Sequence, residues 1–208
     1  MRELGVPADQ PFPTASCPAN CQAIGQVTGY QVEIGKSKNP FVIHRPGSLV
    51  ALTIRLGKPN ASQTQFFTNL FGGQPQVRLV LLKPVPKTKT LAATLAAESE
   101  VFNLGPYLGS TPTFALASPI KVQPGWIVGL TVPTWAPAFA VGIGSDQAWR
   151  SSRSKSNCNS QQSAAQQTIG STRSYQCLFR TARLLYSVTY IPTPKPTTGT
   201  TTHHRTRH

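Results

Sequence analysis

Six carboxylates, four histidines, four cysteines and three tryptophans are the residues from which any chemistry of this chain must be built. A glycosidase needs two carboxylates facing each other across roughly 5 to 9.5 Å. The acids beyond the N-terminal stretch are Glu33, Glu98, Glu100 and Asp146, so Glu98 or Glu100 with Asp146 is the pair on offer. The competing reading, surface acids beside an excess of cations, has more behind it. A Ser-His-acid triad would have to use His44, in HRPG beside Arg45, and no serine sits in Gly-x-Ser-x-Gly. There is no phosphate loop and no dinucleotide fingerprint. Neither a cofactor nor a metal is expected, and an enzyme is not expected.

The cysteines form two local pairs, Cys17 with Cys21 and Cys158 with Cys177. Four cysteines allow three pairings, and the local one is expected. A zinc site would need tighter spacing and a histidine nearby. Disulfides point to an oxidising compartment, hence to an extracellular or cell-surface protein. MRELGVPADQPFP has no apolar stretch of the kind a signal peptide needs, so for an exported protein a mature form, a truncated form or a misplaced start codon is expected. No apolar run is long enough to span a membrane.

Binding is the positive candidate. Trp135 lies between two prolines in PTWAPAF, Trp149 precedes Arg150 and Arg153, and Tyr107 sits in GPYLG. An aromatic face stacks on a sugar ring, and arginine pairs with carboxylate or phosphate in a two-pronged fashion. The expected ligand contacts are therefore Trp135, Trp149, Arg150, Arg153 and Tyr107. Against this stands the general habit of large aromatics to be core residues.

The charge is lopsided: 20 Lys and Arg against 6 Asp and Glu give +14 at neutral pH, and the excess survives without Lys195, Arg205 and Arg207 near the C-terminus. Such a balance speaks of partners rather than of fold. A polysaccharide or anionic wall polymer is the expected partner. Nucleic acid is not favoured, because the cations come in ones and twos without a basic helix or recognition motif.

These residues must be held by short elements, for 19 prolines and 16 glycines interrupt the apolar runs. QVTGYQVEIG alternates as a strand with a bulge at Gly29, and Phe41 to His44 makes a short strand. Ser48 to Gly57 puts Val50, Leu52, Ile54 and Leu56 on its core face. The single helix signal spans Gln63 to Phe71, with Asn60 as N-cap, Gly72 as stop and an apolar stripe of Phe66, Phe67, Leu70 and Phe71. Asn60-Ala-Ser62 is also a glycosylation sequon. LAATLAAESE suits helix and strand equally. Pro133 to Pro137 reads as a loop between two strands, and Arg150 to Arg173 as a long polar loop that a Cys158–Cys177 bridge would close.

The run PIKVQPGWIVGLTV, strand then turn then apolar strand, resembles a phrase found in secreted bacterial β-sandwich (jelly-roll-like) proteins of uncharacterised function. Where those turns often carry Gly-Asp, this one has Gly125-Trp126. The resemblance implies export and a sandwich and brings no activity with it. The expectation is thus an all-β protein: a single antiparallel β-sandwich, Greek-key or jelly-roll-like, over 17–191 with one short helix. A flexible arm (1–16) would precede it, and a disordered, basic Thr/Pro-rich tail (192–208) would follow. The expected function is a non-enzymatic secreted module that binds polysaccharide or an anionic cell-wall polymer. The alternatives are a structural surface or coat protein without a ligand site, and a secreted hydrolase.

Overall fold

Short alternations of apolar and polar residues, each ended by proline or glycine, make strands, and strands make up most of the regular structure of the protein, whose computed structural model describes residues 1–194. In chain order they begin with β1 (Arg2–Leu4), β2 (Ile24–Ile34), β3 (Ser37–Lys38) and β4 (Gly47–Ile54). The one α-helix, α1 (Ala61–Phe71), precedes β5 (Gln76–Pro84), β6 (Ala92–Glu98), β7 (Phe102–Asn103) and β8 (Thr113–Val122). Then come β9 (Ile127–Ala136), β10 (Phe139–Val141), β11 (Gln147–Ser151) and β12 (Thr172–Ser174). β13 (Cys177–Arg180), β14 (Ala182–Leu184) and β15 (Tyr186–Pro192) complete the set.

The large sheet runs β12-β6-β5-β9-β2-β11-β13, with β3 beside β2 and β7 beside β5, while the smaller sheet runs β1-β15-β4-β8. A β10-β14 pair stands apart, and all strand pairs are antiparallel. One core cluster joins Leu49, Leu52, Ile54, Tyr186 and Val188 of the smaller sheet to Leu79, Leu81, Val128, Leu130 and Val132 of the large one. Two sheets burying their facing sides against each other make a sandwich. Both local disulfides, Cys17–Cys21 and Cys158–Cys177, are formed.

The outer face of the large sheet is covered too. Thr28 and Thr131 occupy polar positions of β2 and β9 that alternation would give to solvent, yet both are fully buried. The segment from Ser152 to Gln176 lies over them. The Thr28 and Thr131 hydroxyls bond each other at 2.6 Å, the Gln166 N–H donates to Thr28 Oγ1 at 2.8 Å, and Thr131 Oγ1 donates to the Gln166 carbonyl at 3.2 Å. This closed ring satisfies every buried polar group in it, as burial demands. Tyr175 adds apolar cover against Tyr30, Val80, Leu82 and Leu95.

Several expectations change. The N-terminal stretch is not a loose arm: β1 pairs with β15, and Arg183 clasps the residues after it. The buried Arg183 guanidinium donates to the carbonyls of Gly5 (3.3 Å), Gln10 (3.1 Å) and Pro11 (3.1 Å) and lies over the Phe12 ring. Burial lowers its pKa to about 10. LAATLAAESE, open between helix and strand in the sequence, holds β6, because pairing with β5 and β12 overrides the helix preference of alanine. Phe41 to His44 contributes only a single bridge at Val42. The bulges in β2 fall at Gln26 and Val32, not Gly29. A further bulge at Val50 shifts the phase of β4, so that Leu49 rather than Val50 joins Leu52 and Ile54 in the core.

The helix forms as expected, its Asn60 Oδ1 accepting from the Gln63 N–H in a reciprocal capping box. Its apolar stripe plugs less than expected, because only Phe67 is buried, while Phe66 and Leu70 are 58% and 48% exposed. The tail, including His203, His204 and His208, lies outside the described residues from position 195 onward.

Candidate functional site

Antiparallel pairing of β11 with β13 places Trp149 directly opposite Phe179. Their rings stack with centroids 4.8 Å apart, and Phe139 meets Trp149 edge-on at 5.7 Å. On the other side of β11, the Trp149 ring crosses Gly29 of β2, where a Cβ would lie 2.8 Å from it. The glycine is thus required by a close approach, and it lets the indole lie flat on the sheet. These aromatics, with Ile24, line a cleft of about 380 Å³ to which Arg153 and Arg180 contribute the charge. That volume lies within the usual range for small-ligand pockets, roughly 300 to 1,000 Å³. Two polar atoms of residues in its wall, the Trp149 indole N–H and the Ser151 hydroxyl, are buried without a hydrogen-bond partner.

Arg153 also lines a second cleft, of about 270 Å³. Here the walls are hydroxyls and amides, from Ser154, Asn157, Ser160 and Gln162, together with Arg173. The Arg153 Nη1 donates to the Gln162 carbonyl at 2.7 Å. Burial lowers its pKa, and the positive charge of Arg173 lowers it further; it is still a cation at neutral pH. No acidic residue lines either cleft. Behind the first, Glu33 holds Lys38 by a hydrogen bond and Arg180 at 3.7 Å, contacts that keep its carboxyl below the usual range, the Lys38 bond foremost.

Of the five residues expected to touch a ligand, the structure brings Trp149 and Arg153 together. Trp135 is fully buried, so the expectation of an exposed stacking face there is corrected. Its ring packs on Phe67 at 5.2 Å beneath α1, and its indole donates to the Gly73 carbonyl at 3.1 Å. The Pro133–Pro137 loop is largely the end of β9. Pro133 is tolerated because the pairing with β5 stops at Thr131 and that with β2 skips past Gln26. Arg150 points away from the first cleft and donates to the carbonyls of Tyr175 (3.2 Å) and Gln176 (3.4 Å), a structural task. Tyr107 is 41% exposed but lies edge-on against Phe114 and lines neither cleft.

The residues that sequence reasoning missed are Phe139, Phe179, Arg180 and the hydroxyl-bearing wall. Their signal was the aromatic-basic pair Phe179-Arg180 beside Cys177, but nothing in the spacing pairs position 149 with 179.

The carboxylates do not assemble. Glu98 ion-pairs with Arg78, and Glu100 accepts from the Ala117 N–H at 2.9 Å. Glu98 ends β6 while Asp146 abuts β11, four strand steps away, or roughly 19 Å along the sheet. That is too far for a glycosidase pair. His44 shares a pocket with Ser37 and Glu3, yet no hydrogen bond joins the three, and Glu3 accepts from Ser187 and Thr189. Among the described residues no three His, Cys, Asp or Glu side chains converge as metal ligands.

No protein family, curated protein or solved structure matches the chain. The two disulfides are compatible with an extracellular location, and among the described residues no helix is long and apolar enough to cross a membrane.

Proposed function

We propose that the protein is a non-enzymatic extracellular module that binds an anionic polysaccharide or cell-wall polymer in the cleft over Trp149 and Phe179. One observation carries the reading: Arg153 joins an aromatic-walled cleft to a hydroxyl-rich one, with no acid lining either. Stacked apolar rings take the face of a sugar, and arginines take its acidic substituent. The net charge of +14 draws such a polymer in from a distance, an attraction that salt screens. Tryptophan emission followed during titration with soluble acidic oligosaccharides tests this. Binding should shift the emission through Trp149, and Phe179→Ala should abolish the shift. An unchanged shift in that variant would place the ligand elsewhere.

A second reading, a structural surface or coat protein, is favoured by the burial of Trp135 and Trp149 and by the exposed Phe66 and Leu70 on the uncharged α1. Such a face serves self-association. Sedimentation that depends on concentration, and ceases to do so in Phe66→Gln/Leu70→Gln, would support it.

A further inference from the structure

The Ser152–Gln176 segment spends much of its polar capacity on the sheet beneath, through Ser152 and Gln166, and on itself, through the Tyr175 hydroxyl that donates to Gln166. What remains turns into the second cleft. Arg153 and Arg173 both line it, along with Ser154, Asn157, Ser160, Gln162, Thr172 and Ser174. Arg153 is anchored through Nη1, whereas Arg173, exposed on the edge strand β12, makes no side-chain hydrogen bond among the described residues. Two like charges drawn to one concavity repel unless an anion lies between them. No carboxylate of the described residues lines the cleft. The segment is also held in place from both sides: Cys158 is bridged to Cys177, and the Gln176 amide donates its N–H to the Arg153 carbonyl at 3.0 Å. The arginines are therefore mounted on an ordered support rather than on a free loop, which lowers the ordering cost of binding.

We propose that this cleft is an oxyanion site, in which the guanidinium groups of Arg153 and Arg173 grip one tetrahedral group, phosphate or sulfate, while the surrounding hydroxyls and amides donate to its remaining oxygens. A tetrahedral group offers acceptors in more directions than a planar carboxylate, and the donors here surround the space rather than form a single fork. This rests on the polymer-binding reading and refines it. Because Arg153 lines both clefts, a polymer with a sugar ring over Phe179 would carry its phosphate or sulfate into the neighbouring cleft. The ester oxyanion can come from a phosphodiester-linked wall polymer or from a sulfated polysaccharide.

The test is titration of the full chain, at constant ionic strength, with inorganic phosphate, sulfate and acetate, monitored by amide shifts of residues 152–174. Phosphate and sulfate should perturb those amides saturably and acetate should not. Arg173→Gln, which removes an exposed side chain, should lower the affinity roughly tenfold, the loss expected for a charge-assisted contact, without lowering the melting temperature. Competition by a phosphodiester polymer and by a sulfated polysaccharide then identifies the source. Equal response to acetate, or full affinity in the variant, would overturn the oxyanion site while leaving polymer binding standing. Oxyanion binding without retention on any polymer would do the reverse.

Discussion

At the residue scale, Trp135 and Trp149 have different surroundings, and of the two only Trp149 lines a cleft. Trp135 is a structural residue that ties α1 to the end of β9 through Phe67 and the Gly73 carbonyl. Trp135→Ala should therefore destabilise the fold by about 3 to 5 kcal/mol, as large-to-small changes of buried aromatics do. At temperatures where the variant is folded, its affinity for polymer should be unchanged; a selective loss of binding with the melting temperature intact would contradict this. Gly29 is the complementary case, since Trp149 occupies the space a methyl group would need. Gly29→Ala should push the indole off the sheet, altering near-ultraviolet circular dichroism and weakening binding, with an overpacking cost of about 1 to 3 kcal/mol seen in urea unfolding. The tryptophans could not be sorted in the sequence because flanking prolines make a stiff loop and a strand end look alike. What decides between them is a neighbour about seventy residues away for Trp135, and about thirty for Trp149.

Among the elements, the Ser152–Gln176 segment is the one on which the account turns. Its polar composition marked it as a loop, and the Cys158–Cys177 bridge was legible because local cysteine pairs leave few alternatives. What stayed hidden was that it covers the outer face of the sheet: Thr28 and Thr131 obey the polar-outside alternation and are buried all the same. Alternation says which side a residue faces, not what covers that side. The same limit explains β4, where a bulge at Val50 reverses the phase that strict alternation predicts, and β6, whose pairing partners outweigh local preference. The bridge closes a loop across a separation of 19 residues, and the chain-entropy account assigns such a closure roughly 3 kcal/mol. Cys158→Ser/Cys177→Ser should lose about that much stability, and hydrogen exchange should rise first in residues 152–176. Protection as high there as in the wild type would mean that the threonine–glutamine ring alone holds the segment.

For the whole molecule, two packed sheets carry the load, and the clefts sit where β11, β13 and the covering segment meet. The sandwich and the helix were readable from short alternating runs and a capping sequence. The docking of β1 and of the residues clasped by Arg183 was not, since a buried arginine bonded only to carbonyls leaves no pattern in composition. The cationic surface gives long-range attraction, and the clefts give the contact. Retention on purified cell walls and insoluble acidic polysaccharides, for the full chain and Arg153→Gln at low and high salt, joins these claims in one measurement. The account predicts retention at low salt, release at high salt, and loss in the variant at both. Retention indifferent to Arg153, or no retention on any polymer, would contradict it.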